Sequence, residues 1–242
     1  MSPDEPRGGA RFATTQWSVV VAAGRGDDTA ARDALAALCK RYWYPLYAFA
    51  RRRGANEHEA QDLVQGFFAV VLEKGYIAAA DRDRGRFRSF LMSAFSNYTS
   101  KEREKAGAQK RGGDHTVLSL NMSKGEEWYA LEPADNRTPE RVFERRWALT
   151  VLDKVLADLR AEFVASGKSR FFAALLPYVV GGSPLPSYRE SGETLGMTEG
   201  AVKVAVHRMR RRYRDLLRAT VAATVRNESE VDEELRHLID SL

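Results

Sequence analysis

The apolar residues of this chain recur at three- and four-residue intervals, the period of an α-helix with one buried face. Leu35, Leu38, Cys39, Tyr42, Leu46 and Phe49 form the first long stripe. Arg51, Arg52, Arg53 and Gly54 end it, with cations at the negative end of the helix dipole and a glycine as the stop. Asn56 is placed to cap the next helix, whose first turn carries Glu57 and Glu59 and whose inner face is Ala60, Leu63, Val64, Phe67, Phe68 and Val71. A crossover at 76–85 leads to a helix over about 86–106, turning Phe87, Phe90, Leu91, Ala94, Phe95 and Tyr98 inward. Upstream, Thr14 and Thr15 precede Trp17, Val20 and Val21 as a capped start, and the Pro/Gly-rich residues 1–12 are expected to be disordered.

Periodicity stops over 107–139, where 110–114 and 132–139 are rich in helix breakers. Within it, Val117, Leu118, Leu120, Trp128 and Tyr129 are candidates for docking onto a domain. Helical spacing resumes at Pro139 with Val142, Phe143, Trp147, Val151, Leu152, Val155 and Leu159, followed by a helix around 171–180 and a loop at 181–186. No segment shows a strand pattern, so the chain reads as all-α: two small helical domains and a linker. The expected boundaries are a disordered 1–12, a first domain 13–111, a linker 112–139, a second domain 140–220 and an acidic helical extension 221–242.

The second domain holds the most informative stretch. Residues 188–195, a turn at Gly196, and a helix starting after Thr198 have the layout of a helix-turn-helix. Thr198 can cap the second helix, and Glu199 sits at the positive end of its dipole. Val202, Val206, Met209, Tyr213 and Leu216 share one apolar face. Lys203, His207, Arg210, Arg211 and Arg214 fall mostly elsewhere, free to meet phosphates and base edges. Ser191 and Gly192 in the first helix are less comfortable. The glycine is expected to weaken that helix by about 1 kcal/mol, and the serine puts a hydroxyl near the core.

Charge sharpens this picture. The net charge of +5 and pI near 9.3 favour an acidic partner. Residues 82–111 hold nine basic residues against three acids, 199–218 hold seven against two, and 226–242 hold two against six. Two basic patches and one acidic tail therefore need explaining. In the first patch Arg82, Arg84, Arg86 and Arg88 cluster at the helix start, with Asn97 and Ser100 mid-helix and Lys101, Arg103 and Lys105 beyond. Most of the interleaved aromatics belong in the core; Phe95 and Tyr98 are left open as stacking platforms for bases. On the preceding helix, Asp62, Gln65, Ala69 and Glu73 form an outer strip suited to docking against another helix.

Other chemistries find no footing. The four histidines, His58, His115, His207 and His237, are scattered, with no metal-ligand spacing. No Walker-type phosphate loop and no catalytic constellation is present, so no enzyme activity, metal or cofactor is expected. The single cysteine, Cys39, excludes an internal disulfide, fits a reducing cytosol and is expected to be buried. Without a signal pattern or a membrane-length apolar run, a cytoplasmic protein with no membrane insertion is expected.

The combination of Asp62-Leu63-Val64-Gln65-x-Phe67 with Phe87-Arg88-x-Phe90-Leu91 and Asn97 resembles region two of bacterial RNA polymerase sigma factors. Residues 188–212 resemble region four. The little sequence between the two blocks is similar to the small extracytoplasmic-function type, and the likeness covers roughly 30–111 and 140–218. Gly66, Phe90, Lys101 and the Ser191-Gly192 pair depart from the family pattern.

That resemblance implies a non-enzymatic protein that binds polymerase core and directs promoter-specific initiation. Asp62, Gln65, Ala69 and Glu73 would dock on a coiled-coil of the largest polymerase subunit. Arg84, Arg86, Arg88, Asn97, Tyr98, Lys101 and Arg103 would grip promoter DNA near the start site. Thr198, Glu199, Lys203, Val204, His207, Arg208 and Arg211 would read the upstream element in the major groove. An anti-sigma factor or other regulator is a further implied partner. The alternative is a conventional helix-turn-helix regulator that is not a polymerase subunit.

The acidic tail repeats Val231, Leu235, Leu238 and Leu242 at helical spacing. It reads either as a helix packed on its own domain or as a regulatory element covering a basic surface.

Overall fold

The computed structural model describes residues 29–73, 86–108, 122, 124–132, 137–181, 184–225 and 227–242. The expected disordered segment 1–12, the helix start at Thr14, Arg82, Arg84, Lys110, Arg111 and the stretch 117–120 lie outside the described residues. Among the described residues every regular element is helical. In chain order they are α1 (Thr29–Arg52), α2 (Glu57–Glu73), α3 (Phe87–Ala108), α4 (Gly125–Ala130), α5 (Pro139–Ala165), α6 (Ser169–Val180), α7 (Tyr188–Leu195), α8 (Glu199–Ala222), a 3-10 turn (Glu228–Glu230) and α9 (Val231–Asp240). None of these helices is long and apolar enough to cross a membrane.

Local chemistry accounts for the helix ends. Asn56 accepts from the Glu59 amide at 3.0 Å while the Glu59 carboxylate accepts from the Asn56 amide at 2.8 Å, a reciprocal capping box before α2. Thr138 caps α5 through the Arg141 amide, with Pro139 at the first helical position where its missing N–H costs nothing.

Two buried clusters hold the fold. The first gathers α1, α2 and α3 around Tyr42, Leu46, Phe49, Val64, Phe67, Phe68, Phe87 and Phe95. It also takes in Phe143, Trp147 and Val151 of α5, Val221 at the end of α8, Val225 just after it, and Val231 and Leu238 of α9. The second contains Leu159 of α5, Phe172, Leu175 and Tyr178 of α6, and Val202, Val206 and Met209 of α8. At 27 residues, α5 is about 40 Å long, enough to run from one cluster into the other. Helix α8 does the same in the opposite order. The stripe from Val142 to Leu159 on α5 thus serves two cores rather than one.

The breaker-rich segment before α5 contains a docked turn of helix. Gly125 of α4 lies against the rings of Tyr47 and Trp43, where an added Cβ would sit 3.3–3.4 Å from ring carbons. Trp128 stacks on Trp43 at 5.6 Å between centroids. Glu126 accepts from the Tyr47 hydroxyl at 2.6 Å and from Arg51 at 2.7 and 3.0 Å. Just beyond, Glu132 accepts from Tyr44 at 3.2 Å and pairs with Arg145 and Arg146. Trp128 and Tyr129 therefore dock on α1. A six-residue helix is too short to leave a periodic signal.

Cys39 is fully buried in the first cluster, and burial pushes its thiol up to about 12.

Candidate nucleic-acid interface

The helix-turn-helix is assembled from α6, α7 and the start of α8. Ser187 and Glu190 form a capping box at α7: the Ser187 hydroxyl accepts from the Glu190 amide at 3.2 Å, and the Glu190 carboxylate accepts from the Ser187 amide at 2.7 Å. Those bonds from Ser187 hold the Glu190 carboxyl below the usual range. At the other end Gly196 adopts φ 67°, the left-handed conformation that suits glycine, and closes the turn. Thr198 then caps α8 by accepting from the Ala201 amide at 3.3 Å.

Ser191 and Gly192 turn out to be fitted to this turn rather than weak points in it. Ser191 is buried, and its hydroxyl lies 2.8 Å from the Tyr178 hydroxyl. Tyr178 also donates to the Pro186 and Ser187 carbonyls at 2.8 and 3.1 Å, tying α6 to the start of α7. Gly192 is buried where a Cβ would lie 2.6 Å from the Met197 carbonyl oxygen. Its own carbonyl accepts the Met197 amide at 2.9 Å. The expected cost of a mid-helix glycine is answered by a close backbone approach that no larger residue permits. Helix propensity carries no trace of this contact. Nor does local spacing single out Tyr178, whereas Ser187 followed three residues later by Glu190 is a readable capping signal.

With the apolar residues Val202, Val206 and Met209 buried, α8 presents its other side to solvent. Thr198, Glu199, Lys203, Val204, His207, Arg208 and Arg211 are all exposed, and from Glu199 onward they lie at helical spacing along one side. Glu199 and Lys203 pair at 2.6 Å, and the Lys203 ammonium lies 5.6 Å from the centre of the Tyr188 ring. Two neighbouring arginines point elsewhere: Arg210 donates to the Tyr178 carbonyl at 2.9 Å, and Arg212 forms a two-bond pair with Glu162 on α5. The result is a capped helix whose solvent side carries Lys203, His207, Arg208 and Arg211.

The first-domain set is split by the structure. Asn97 and Lys101 are exposed. Arg103 is exposed and donates to the Arg53 carbonyl at 2.7 Å. Tyr98 is half-buried beside Phe67, and burial, together with the Glu102 and Asp62 carboxylates, pushes its hydroxyl up to about 12. Phe95 is wholly buried, edge-on to Phe49 and Phe67, so it is no stacking platform. Arg88 is only 3% exposed, lies over the Trp147 ring and binds Glu234 and Glu144, out of reach of a phosphate in this conformation. Burial alone would lower the Arg88 guanidinium; the two carboxylates outweigh it and leave it raised. Arg86 is partly exposed and bound by Glu233 and Glu234. Arg84 lies outside the described residues.

On α2, Asp62 is exposed and Gln65 half-buried, while the side chain of Glu73 lies outside the described residues. Ala69 is buried, contrary to its expected place on the outer strip. The strip is narrower than one-faced spacing suggests because α2 is covered by α1 and α3 together, which buries the whole run 66–69. Gly66 lies under the Tyr98 ring end, and a Cβ there would push the Tyr98 hydroxyl aside. Asp62, Leu63, Gly66, Tyr98, Glu102 and Arg103 line a groove of about 410 Å³ between α2 and α3.

The chain is 28% identical over 214 residues to the ECF RNA polymerase sigma factor SigE of Mycolicibacterium smegmatis, an alignment covering 88% of this chain and 69% of that protein. The likeness supports the ECF sigma-factor family. No protein-family model matches the chain. No solved structure matches it. The all-helical fold and the capped helix-turn-helix that the sequence predicts are both present among the described residues. The family likeness supports sigma-factor function at a coarse level.

Proposed function

We propose that this chain is an RNA polymerase sigma factor that binds core polymerase and directs initiation at a discrete set of promoters. The observation that carries the reading is the exposed side of α8, where Glu199, Lys203, Val204, His207, Arg208 and Arg211 project from a helix-turn-helix built on a glycine contact. Arginine and lysine donate in pairs to guanine edges, each good pair giving about 1–3 kcal/mol of discrimination. In this proposal α8 reads the upstream element. Asn97, Tyr98, Lys101 and Arg103 on α3 meet the element near the start site, joined by Arg84 and, once uncovered, Arg86 and Arg88.

The outer side of α2 at Asp62 and Gln65 receives a helix of the core enzyme, with the adjoining α2–α3 groove beside Asp62. The two grips correspond to a first domain over 13–111 and a second over 140–220, joined by 112–139. The polymerase supplies the chemistry and this chain the specificity, so the protein acts in the cytoplasm, is not itself an enzyme, and needs no cofactor. An anti-sigma factor or another regulator of the same surfaces is a further expected partner.

Reconstitution with purified core polymerase and a genomic DNA library tests the reading. Core binding and run-off transcripts from discrete start sites are expected. Failure to bind core, with a footprint on a palindromic site in its absence, would instead identify a conventional regulator.

A further inference from the structure

The first basic patch and the acidic tail are in contact. Glu234 of α9 is fully buried and accepts from Arg88 through Nε at 2.7 Å and a terminal nitrogen at 3.1 Å, and from Arg86 Nε at 2.9 Å. Glu233 takes the other side of Arg86 at 2.6 Å. Asp232 pairs with Arg218 near the end of α8. Glu144 of α5 completes the network, accepting from Arg88 at 2.5 Å and facing His237 of α9 at 3.1 Å. Arg145 donates to the Leu242 carbonyl at 3.2 Å. One ten-residue helix thus grips α3, α5 and α8 at once.

Its apolar anchorage is a single stripe. Val231 and Leu238 are buried in the first cluster and Leu235 packs against it, whereas Ile239 is 63% exposed and Leu242 45% exposed, so the apolar contact is confined to one stripe. A helix meant only to stabilise its domain gains most from apolar burial, because the desolvation of a buried ion pair cancels much of its attraction. A helix that adds three carboxylates on arginines to a single apolar stripe is open to displacement by another polyanion that offers the same ligands.

We propose that α9 is a tethered mimic of the DNA backbone, clamped on Arg86 and Arg88 until DNA displaces it. The inference rests on the DNA-binding reading of α3 and α8. With α9 docked, Arg86 and Arg88 are neutralised and α3 is pinned to α5 and α8. Displacement frees Arg86, uncovers Arg88 and unpins α3 from α8.

Amide hydrogen exchange of residues 231–240 in the full chain, with and without a 20-base-pair random-sequence duplex, reads the competition directly. The duplex is expected to speed exchange there several-fold. In parallel, fluorescence anisotropy compares wild type with Glu233→Gln/Glu234→Gln and with Asp232→Asn/Glu233→Gln, which leaves the buried pair intact. The first variant is expected to bind the duplex about 3–10-fold tighter, with a salt dependence steeper by about one phosphate contact. The rim variant shifts the same way by less. Should the first variant prove unfolded by circular dichroism, the rim variant and the wild-type exchange data decide.

Unchanged or slower exchange on saturating duplex, or folded variants that bind no tighter, overturn the clamp. Arg208→Ala/Arg211→Ala separates the two ideas. If it abolishes binding while the α9 variants have no effect, the clamp alone fails. If wild type and every α9 variant bind no DNA, the reading of α3 and α8 fails and the clamp with it.

Discussion

Replacing Gly192 by alanine tests whether this glycine is a weak point in α7 or the contact that lets α7 and α8 meet. On propensity alone the change should stabilise, since alanine is favoured over glycine inside a helix by about 1 kcal/mol. The structure argues the opposite sign. The new Cβ would lie 2.6 Å from the Met197 carbonyl oxygen, against an ordinary contact of 3.4 Å or more, so backbone must move by about 0.8 Å. Overpacking of this kind costs about 1–3 kcal/mol. The shift also stretches the 2.9 Å bond from the Met197 amide to the Gly192 carbonyl, worth about 1 kcal/mol.

The net expectation for Gly192→Ala is a loss of about 1–2 kcal/mol, or a fall in Tm of about 2–8 °C for a chain of this size. Gly200→Ala is the internal control. Nothing lies within 4 Å of its Cβ position, so it is expected to be neutral or to gain up to about 1 kcal/mol. Urea titration followed by circular dichroism measures both. If Gly192→Ala stabilises the protein as much as Gly200→Ala does, the close approach is not what selects glycine there.

Tyr178→Phe removes the hydroxyl that joins Pro186, Ser187 and Ser191 and is expected to cost about 1–2 kcal/mol. Combined with Ser191→Ala in a double-mutant cycle it should show a coupling of about 0.5–1.5 kcal/mol, and a strictly additive result would contradict a shared hydrogen bond. Arg211→Ala, with no ion pair described at this exposed side chain, should lower DNA affinity and, if it meets a phosphate, reduce the salt slope by about one. An unchanged slope and affinity would remove Arg211 from the interface. For Glu126, burial alone would raise the carboxyl, but hydrogen bonds from Tyr47 and Arg51 leave it below its ordinary 4.5. Its folded-state pKa is the lower one, so its contribution is complete above the unfolded value and is lost as pH falls through the folded value. Trp128 stacked on Trp43 should therefore report undocking of α4 by tryptophan fluorescence in acid, below about pH 4.5. Glu126→Gln should flatten that titration, and an unaltered acid transition in this variant would show that another group controls it.

Much of this protein was legible from local pattern. The stripes from Tyr42 to Phe49 and from Val142 to Leu159, the Asn56 and Thr198 caps and the Gly196 turn all depend on interactions within about four residues, so a one-dimensional reading captures them. The all-helical class and the helix-turn-helix followed from those, as did the buried state of Cys39.

What needed the tertiary structure was every question about which face meets which. Ala69 looks like a surface candidate on a helical wheel, and Phe95 lies on an inner face yet stays open as a stacking platform, but α2 and α3 are each covered on more than one side. Ser191 and Gly192 look like defects until Tyr178 and the Met197 carbonyl are placed beside them. Arg88 belongs by sequence to a run of free cations, yet its partner Glu234 lies 146 residues away. Charge pairing and close packing act through space, and spacing along the chain carries no record of a neighbour that arrives from a distant helix.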